Sequence, residues 1–255
     1  MVNVLCCSGF DPTGGAGIQA DIEAVAAQGA HALPLITALT VQDTRNVARV
    51  VAVDAALLAE QWQALWRDCR IAAIKVGLLG DAAQLSLLAG LIKQAAVPVV
   101  LDPILRAGGG AELSTAAFAE QVRAQLFPLC ALLTPNAAEA RRWTCETDLD
   151  AAAQQLLATG AKQVLITGGD EPGSVTQNRW YVPGQTVRVF EQPRLPGSFH
   201  GAGCTLASAI AARLALGEGM EDALQGAQQY VHQTLRHATA VGQGRWVPRR
   251  ILPAR

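Results

Sequence analysis

Apolar residues fall into two alternating patterns along the chain. Short continuous runs, each about the length of a strand, occur at Val2–Cys7, Leu33–Leu39, Val47–Val53, Ala72–Leu79 (stopping at Gly77), Val97–Leu101, Ala131–Leu133 and Gln163–Thr167. Runs of this kind predict strands buried on both faces. Between them apolar positions recur every three or four residues, which predicts helices. Such stretches begin at Ile18, run over Ala55–Asp68 (Leu58, Trp62, Leu65, Trp66), Ala82–Ala95, Ser114–Gln125 and Asp150–Thr159, and end with one from about Met220 to Thr239. Asn178–Val182 and Thr186–Glu191, joined by Pro183-Gly184, predict an antiparallel pair. Strands alternating with helices predict one three-layer α/β/α domain with a mostly parallel central sheet. Its core covers about residues 2–240, and a basic tail, 241–255, follows.

The glycine-rich stretches add chemistry to this frame. In Ser198–Ala212, Gly201 and Gly203 precede a helical pattern of Leu206, Ile210 and Leu214 beside a small stripe of Ala207, Ala211 and Ala215. The free N–H groups and positive dipole end of such a helix attract anions, phosphate above all. Cys204 falls in the first turn, where a thiolate is favoured over its free counterpart. Its ordinary alternative is a small core residue. A second strand–glycine loop–helix unit is Phe10-Asp-Pro-Thr-Gly-Gly-Ala-Gly17, with neither Walker nor dinucleotide spacing. Gln42 carries a donor and an acceptor on one amide. Asp102 and Glu139 each follow a strand, where α/β sheets place ligand groups, although both also suit a plain helix-capping role. Lys75 is expected either to face a ligand at the sheet end or to snorkel to the surface.

Composition narrows the classes. The chain has 255 residues, 51% apolar and 16% charged, with a formal charge of −1; mean hydropathy is +0.23. This is a globular composition, without the charge that would attract nucleic acid or acidic membranes. Arg245, Arg249, Arg250 and Arg255 cluster late in the chain and are expected to be solvated. The cysteines show no zinc-ligand spacing, and adjacent Cys6 and Cys7 suit buried thiols. The start of the chain lacks a basic segment and its apolar run is short for a signal peptide, so a cytoplasmic location is expected.

Several ordered motifs carry a resemblance. Ser8–Asp21, Thr37-Ala-Leu-Thr-Val-Gln-Asp-Thr44, Lys75-Val-Gly-Leu78, Asp102-Pro-Ile104, Thr134-Pro-Asn-Ala-Ala-Glu139 and His200-Gly-Ala-Gly-Cys-Thr205 appear at matching intervals. Over roughly Leu5 to Thr239 the chain resembles the hydroxymethylpyrimidine/phosphomethylpyrimidine kinases of thiamine biosynthesis, within the ribokinase-like kinases. The resemblance implies ATP and Mg²⁺ as cofactors, a small-molecule acceptor and a homodimer. It implies an anion hole from Gly201, Ala202 and Gly203, with Cys204 as the base. It implies a pyrimidine pocket of Gln42, Gly9, Asp11, Ala16, Leu78 and Ile104. Asn136, Thr167, Gly169 and His200 would meet the nucleotide, and Glu139 and Asp102 the metal.

The sequence departs from that pattern twice. Ile166-Thr-Gly-Gly-Asp170 lacks the usual lysine, and Gly108-Gly-Gly110 stands where Lys-Ser-Gly is often found. Arg106 and Lys75 are the candidates for replacing the lost charge. Rival readings are a pyridoxal kinase, a pyrimidine- or nucleotide-binding protein without turnover, and a cysteine hydrolase whose only evident base is His200.

Overall fold

The computed structural model describes residues 1–105 and 115–251. Arg106, Gly108–Gly110, Ser114 and Arg255 lie outside the described residues. The strands are β1 (Asn3–Phe10), β2 (His31–Gln42), β3 (Val47–Ala52), β4 (Ile71–Val76), β5 (Val99–Leu101), β6 (Leu132–Leu133), β7 (Val164–Ile166), β8 (Val175–Tyr181) and β9 (Arg188–Pro193). The helices are α1 (Gly17–Ala27), α2 (Ala55–Asp68), α3 (Ala82–Ala95), α4 (Ala116–Gln125), α5 (Ala137–Thr144), α6 (Leu149–Ala158), α7 (Ala202–Ala215) and α8 (Met220–Arg236). Helix starts follow side-chain caps: Asp54, Asp81, Thr115 and Asp148 each accept a hydrogen bond from the backbone three residues on.

The sheet order is β3-β2-β1-β4-β5-β6-β7-β8-β9. Pairing is parallel from β2 across to β7 and antiparallel for β2–β3, β7–β8 and β8–β9. The late hairpin is therefore as expected, although β8 begins earlier, at Val175. Alternate strand residues build two cores. Leu5, Cys7, Ile74, Val76, Val99, Leu101 and Leu133 meet α2–α6 on one face. Val4, Cys6, Val100, Leu132 and Leu165 meet α1, α7 and α8 on the other. This is the three-layer arrangement with a mostly parallel sheet expected from the alternation.

The layout locates a crevice. β1 lies between parallel β2 and β4; the chain leaves β1 toward β2 and leaves β4 toward β5, so the connections diverge between the carboxyl ends of β1 and β4. Open α/β sheets take ligands at such a point. A register shift between Ser8 and Gly9 bends the end of β1 at this position. Helix α7 packs over β1, β4 and β5, between α1 and α8. Its residues from Cys204 to Ala212 are all buried, which the alanine stripe permits.

Candidate active site

Two glycine turns meet back to back over the crevice. The first links β1 to α1 and is knitted by Asp11. Its carboxylate accepts from Thr13 N and Thr13 Oγ1 (2.8 Å each), from Ala16 N (2.8 Å), and bonds the His200 ring at 2.8 Å. Burial alone would raise the Asp11 pKa. Hydrogen bonds from His200, Gln42 and Thr13 outweigh it and hold the carboxyl well below the usual carboxylate range. Gly17 has φ +59°, and a Cβ there would run into the Gly9 carbonyl.

The second turn caps α7. Gly201 has φ +78° and sits so close to the Gly15 carbonyl that no side chain fits. Cys204 follows in the first turn of α7. Its thiol lies within electrostatic reach of the Asp102 carboxylate, of Lys75 and of the Gly17 N–H. A side chain at Gly203 would come within 3.9 Å of both Asp102 oxygens, so Asp102 faces this turn.

The expected thiolate is not favoured in the free chain. Burial, then the charge of Asp102, push the Cys204 thiol up to about 12, against the opposing Lys75 charge and Gly17 N–H. A helix N-terminus contributes about 0.3–2 kcal/mol, whereas full burial shifts a pKa by as much as ~3–5 units. Asp102 is itself raised by burial, and Glu139 is pushed up to about 8 by burial and by the Asp102 charge. Two buried carboxylates thus share the lining, and the Asp102 charge disfavours that of Glu139.

Lys75 neither faces a ligand with a free ammonium nor reaches the surface. It is fully buried, 2.8 Å from Asp21 Oδ1 and 2.9 Å from Ser8 Oγ. Ser208 of α7 donates to the same Asp21 oxygen at 2.6 Å. The alternation of β4 explains it: Ile74 and Val76 point to one core, so Lys75 must point to the other, between α1 and α7.

The opposite end of the cavity is built on the start of α5. Asn136 and Glu139 form a capping box, with reciprocal bonds of 2.8 and 3.0 Å. Asp170 adds a bond to Ala138 N at 2.8 Å, and Thr167 O accepts from Ala137 N at 2.9 Å. Arg194, which the sequence did not single out, donates to the carbonyls of Gly168 (3.1 Å), Gly169 (2.8 Å) and Gly173 (2.7 Å).

The late arginines also differ from expectation. Residues after α8 return across the site: Gly244 N and Arg245 N donate to Thr44 (2.9 and 3.0 Å), and Trp246 pairs with Ser198 and His200 (2.9 and 2.8 Å). Arg250 is buried rather than solvated, with its guanidinium lodged between the glycine turns. Arg245 lines the cavity, and its buried Nε has no hydrogen-bond partner.

The candidate catalytic, substrate, nucleotide and metal residues that the structure describes line one cavity of about 570 Å³, a volume suited to small molecules. By strand order Gly9, Asp11, Ala16 and Gln42 lie on the β1–β2 side of the lining and Asn136, Glu139, Thr167 and Gly169 on the β6–β7 side, with Leu78 and Ile104, which follow β4 and β5, between them. Gly201–Cys204 and Asp102 lie in the same lining. His200, placed by the resemblance with the nucleotide, has its ring on Asp11 and packs against Gly15. The His200 ring is thus committed to Asp11 rather than to Cys204.

Comparisons with known proteins agree with this geometry. Residues 11–248 match the profile of the family described as phosphomethylpyrimidine kinase. The chain is 38% identical to a hydroxymethylpyrimidine/phosphomethylpyrimidine kinase of Synechococcus elongatus, with 94% of each chain covered. It is 37% identical to one of Mycobacterium bovis, over 94% of this chain and 90% of that one. Among solved structures, Bacillus subtilis pyridoxal kinase in complex with ADP superposes with a TM-score of 0.89 at 28% identity, covering 97% of each chain. Phosphomethylpyrimidine kinase from Clostridium difficile superposes with a TM-score of 0.80 at 27% identity, covering 92% of this chain and 100% of that one. By profile, by relatives of near-equal length and by fold, the chain belongs to the phosphomethylpyrimidine kinase family of small-molecule kinases.

Proposed function

We propose that the chain transfers the γ-phosphoryl group of ATP to the hydroxymethyl oxygen of 4-amino-5-hydroxymethyl-2-methylpyrimidine, and then to the resulting monophosphate. The observation that carries this reading is the placing of Cys204. It stands at the start of α7, on the same lining as Asp102, with Gln42 and Asp11 on the β1–β2 side and Asn136 and Thr167 on the β6–β7 side. The Gln42 amide matches the adjacent donor and acceptor of an aminopyrimidine edge. Gly9, Ala16, Leu78 and Ile104 form the walls around the ring.

Phosphoryl transfer asks mainly for in-line positioning and charge neutralisation. The N–H groups of Gly201, Ala202 and Gly203 serve as donors to the moving phosphoryl group. Cys204 takes the hydroxymethyl proton as the new O–P bond forms and the bond to the ADP oxygen breaks. Asp102, the carboxylate whose charge bears on the thiol, is the group to which the sulfur's own proton can pass.

The metal reading rests on Asp102 and Glu139. Two buried carboxylates, both raised by burial and Glu139 also by the Asp102 charge, suit a cation, and among the described residues no larger cluster could cage one. That fits Mg²⁺, which takes one or two carboxylates and is otherwise held by phosphates and water. Bound there, it would neutralise charge on the transferring group. Asn136, Thr167, Gly169 and Arg194 form the nucleotide end, with His200 steadying the acceptor loop that adjoins it.

A homodimer follows from β3, an outer strand, and from Leu39, Val41 and Val51, apolar side chains about half exposed on β2 and β3. Light scattering of the purified chain checks this. No helix among the described residues is long and apolar enough to cross a membrane, and we infer a cytoplasmic enzyme.

The decisive experiment is Mg-ATP turnover with the pyrimidine, its monophosphate and pyridoxal side by side. Pyridoxal belongs in the set because of the 0.89 superposition on a pyridoxal kinase. Preferred turnover of the pyrimidine and its monophosphate is the expected result. Preference for pyridoxal overturns the acceptor assignment, and no turnover with any of them favours a binding protein.

A further inference from the structure

Arg250 is the least expected residue at this site. Its side chain is fully shielded from solvent, and a buried guanidinium is retained only where its donors are met. Nε donates to Thr205 Oγ1 at 2.8 Å. One Nη donates to the Gly14 carbonyl and to Glu23, each at 3.1 Å, and the other to the Gly15 carbonyl. The Thr205 hydroxyl passes the interaction on, donating to the Gly201 carbonyl at 2.7 Å.

Peptide planarity gives these bonds a consequence. In a trans peptide the C=O and the following N–H point opposite ways. Drawing the Gly201 carbonyl down to Thr205 therefore turns the Ala202 N–H up into the mouth of the turn. Holding the Gly15 carbonyl likewise aims the Ala16 N–H inward, where it meets Asp11 at 2.8 Å. A charged donor strengthens the hydroxyl bond next in the chain.

We propose that Arg250 is a positioning residue for phosphoryl transfer, acting through Thr205 to aim the Ala202 N–H and through Gly14 and Gly15 to fix the acceptor loop. The proposal rests on the kinase reading above, in which the Gly201–Gly203 turn receives the phosphoryl group. It gives the late arginine a role that no local pattern around it shows.

The test compares Arg250→Met, Arg250→Lys, Thr205→Val, Thr205→Ser and the double variant Arg250→Met/Thr205→Val with the parent, each at least about 10 °C below its melting temperature. Losing an oxyanion donor costs about 10²–10³ in kcat, and misdirecting one costs less. The expected loss for Arg250→Met is therefore about 10–100-fold in kcat, with both KM values within about threefold. Arg250→Lys regains part of it, and Thr205→Ser loses less than Thr205→Val. The double variant is no slower than Arg250→Met, since both act through one path. Amide exchange at Ala202, measured by NMR without substrates, accelerates in Arg250→Met and Thr205→Val.

Unchanged kcat in a folded variant, a change in KM alone, additive losses, or unaltered Ala202 exchange would each overturn the proposal. If Arg250→Met does not fold, Thr205→Val carries the same kinetic and exchange tests, because it removes only a hydroxyl. Absence of turnover in the parent chain strikes the kinase reading instead, and the exchange measurement then still decides whether Arg250 aims the amide.

Discussion

Lys75 and Asp21 form a 2.8 Å ion pair in which neither side chain reaches solvent. Ser8 and Ser208 bond into the same pair from β1 and α7. The Lys75 charge also bears on Cys204 and Asp102, opposing the rise that burial gives each of them. The pair thus bears on the electrostatics of the reacting centre and, with Ser8 and Ser208, joins four elements beneath it.

Breaking such a pair leaves a lone buried charge, which costs about 3–5 kcal/mol, whereas removing both charges costs much less. Lys75→Met and Asp21→Asn should each lower stability by about that amount. The double variant should lose less than the sum of the two. Urea unfolding of the three variants checks this, and strictly additive losses would contradict the pairing.

Cys204→Ala should lower kcat by about 100-fold, the scale of a general base. The direction of the pH effect follows from the raised thiol: with its pKa up at about 12 in the free chain, little thiolate exists at neutrality. Below that value the thiolate fraction grows about tenfold per pH unit. The value of kcat/KM should therefore climb from pH 6.5 to 9, and Cys204→Ala, which removes the ionisable group, should remove the climb. A flat profile in the parent chain would show that free thiolate does not limit the reaction.

Gln42 and Arg194 should separate the two ends of the cavity. Losing one hydrogen-bond partner costs about 1–3 kcal/mol, near tenfold in affinity at the low end. Gln42→Ala should raise KM for the pyrimidine about tenfold and leave that for Mg-ATP within twofold. Arg194→Met should do the reverse. Steady-state kinetics with each substrate varied in turn measures both, and equal damage to both constants would mark either residue as structural.

Asp11 should make the fold sensitive to acid. Its folded pKa is depressed, so its contribution is complete above the unfolded carboxylate value of ~3.9. The contribution is lost as pH falls through that value toward the folded one. The urea midpoint of the parent chain should drop more steeply between pH 5 and 3 than that of Asp11→Asn. Parallel curves would assign the acid sensitivity elsewhere.

The sheet and the paired glycine turns were legible because each rests on local signals: apolar runs for strands, and glycine where φ is positive or backbones touch. Helix α5 was not read as a helix, since Ala137–Thr144 is short, carries Glu139, Arg141 and Arg142, and lacks an apolar period. Cys204 was found by its place at a helix start, but its protonation was misjudged because burial is a property of the whole packed domain. Lys75 required knowing which face of β4 it shares. Arg250 was beyond local reading altogether, since Val247-Pro-Arg-Arg250 gives no sign that the chain has returned to residues 14 and 15.

The return of the chain also fixes an order of events. Gly14 and Arg250 are 236 positions apart, and contacts of such separation form late because loop closure must precede them. Sheet and helices can assemble while the two glycine turns still lack their common anchor. The reaction centre is then the last part of the molecule to come into being, and a chain still emerging from the ribosome holds the fold before it holds the site.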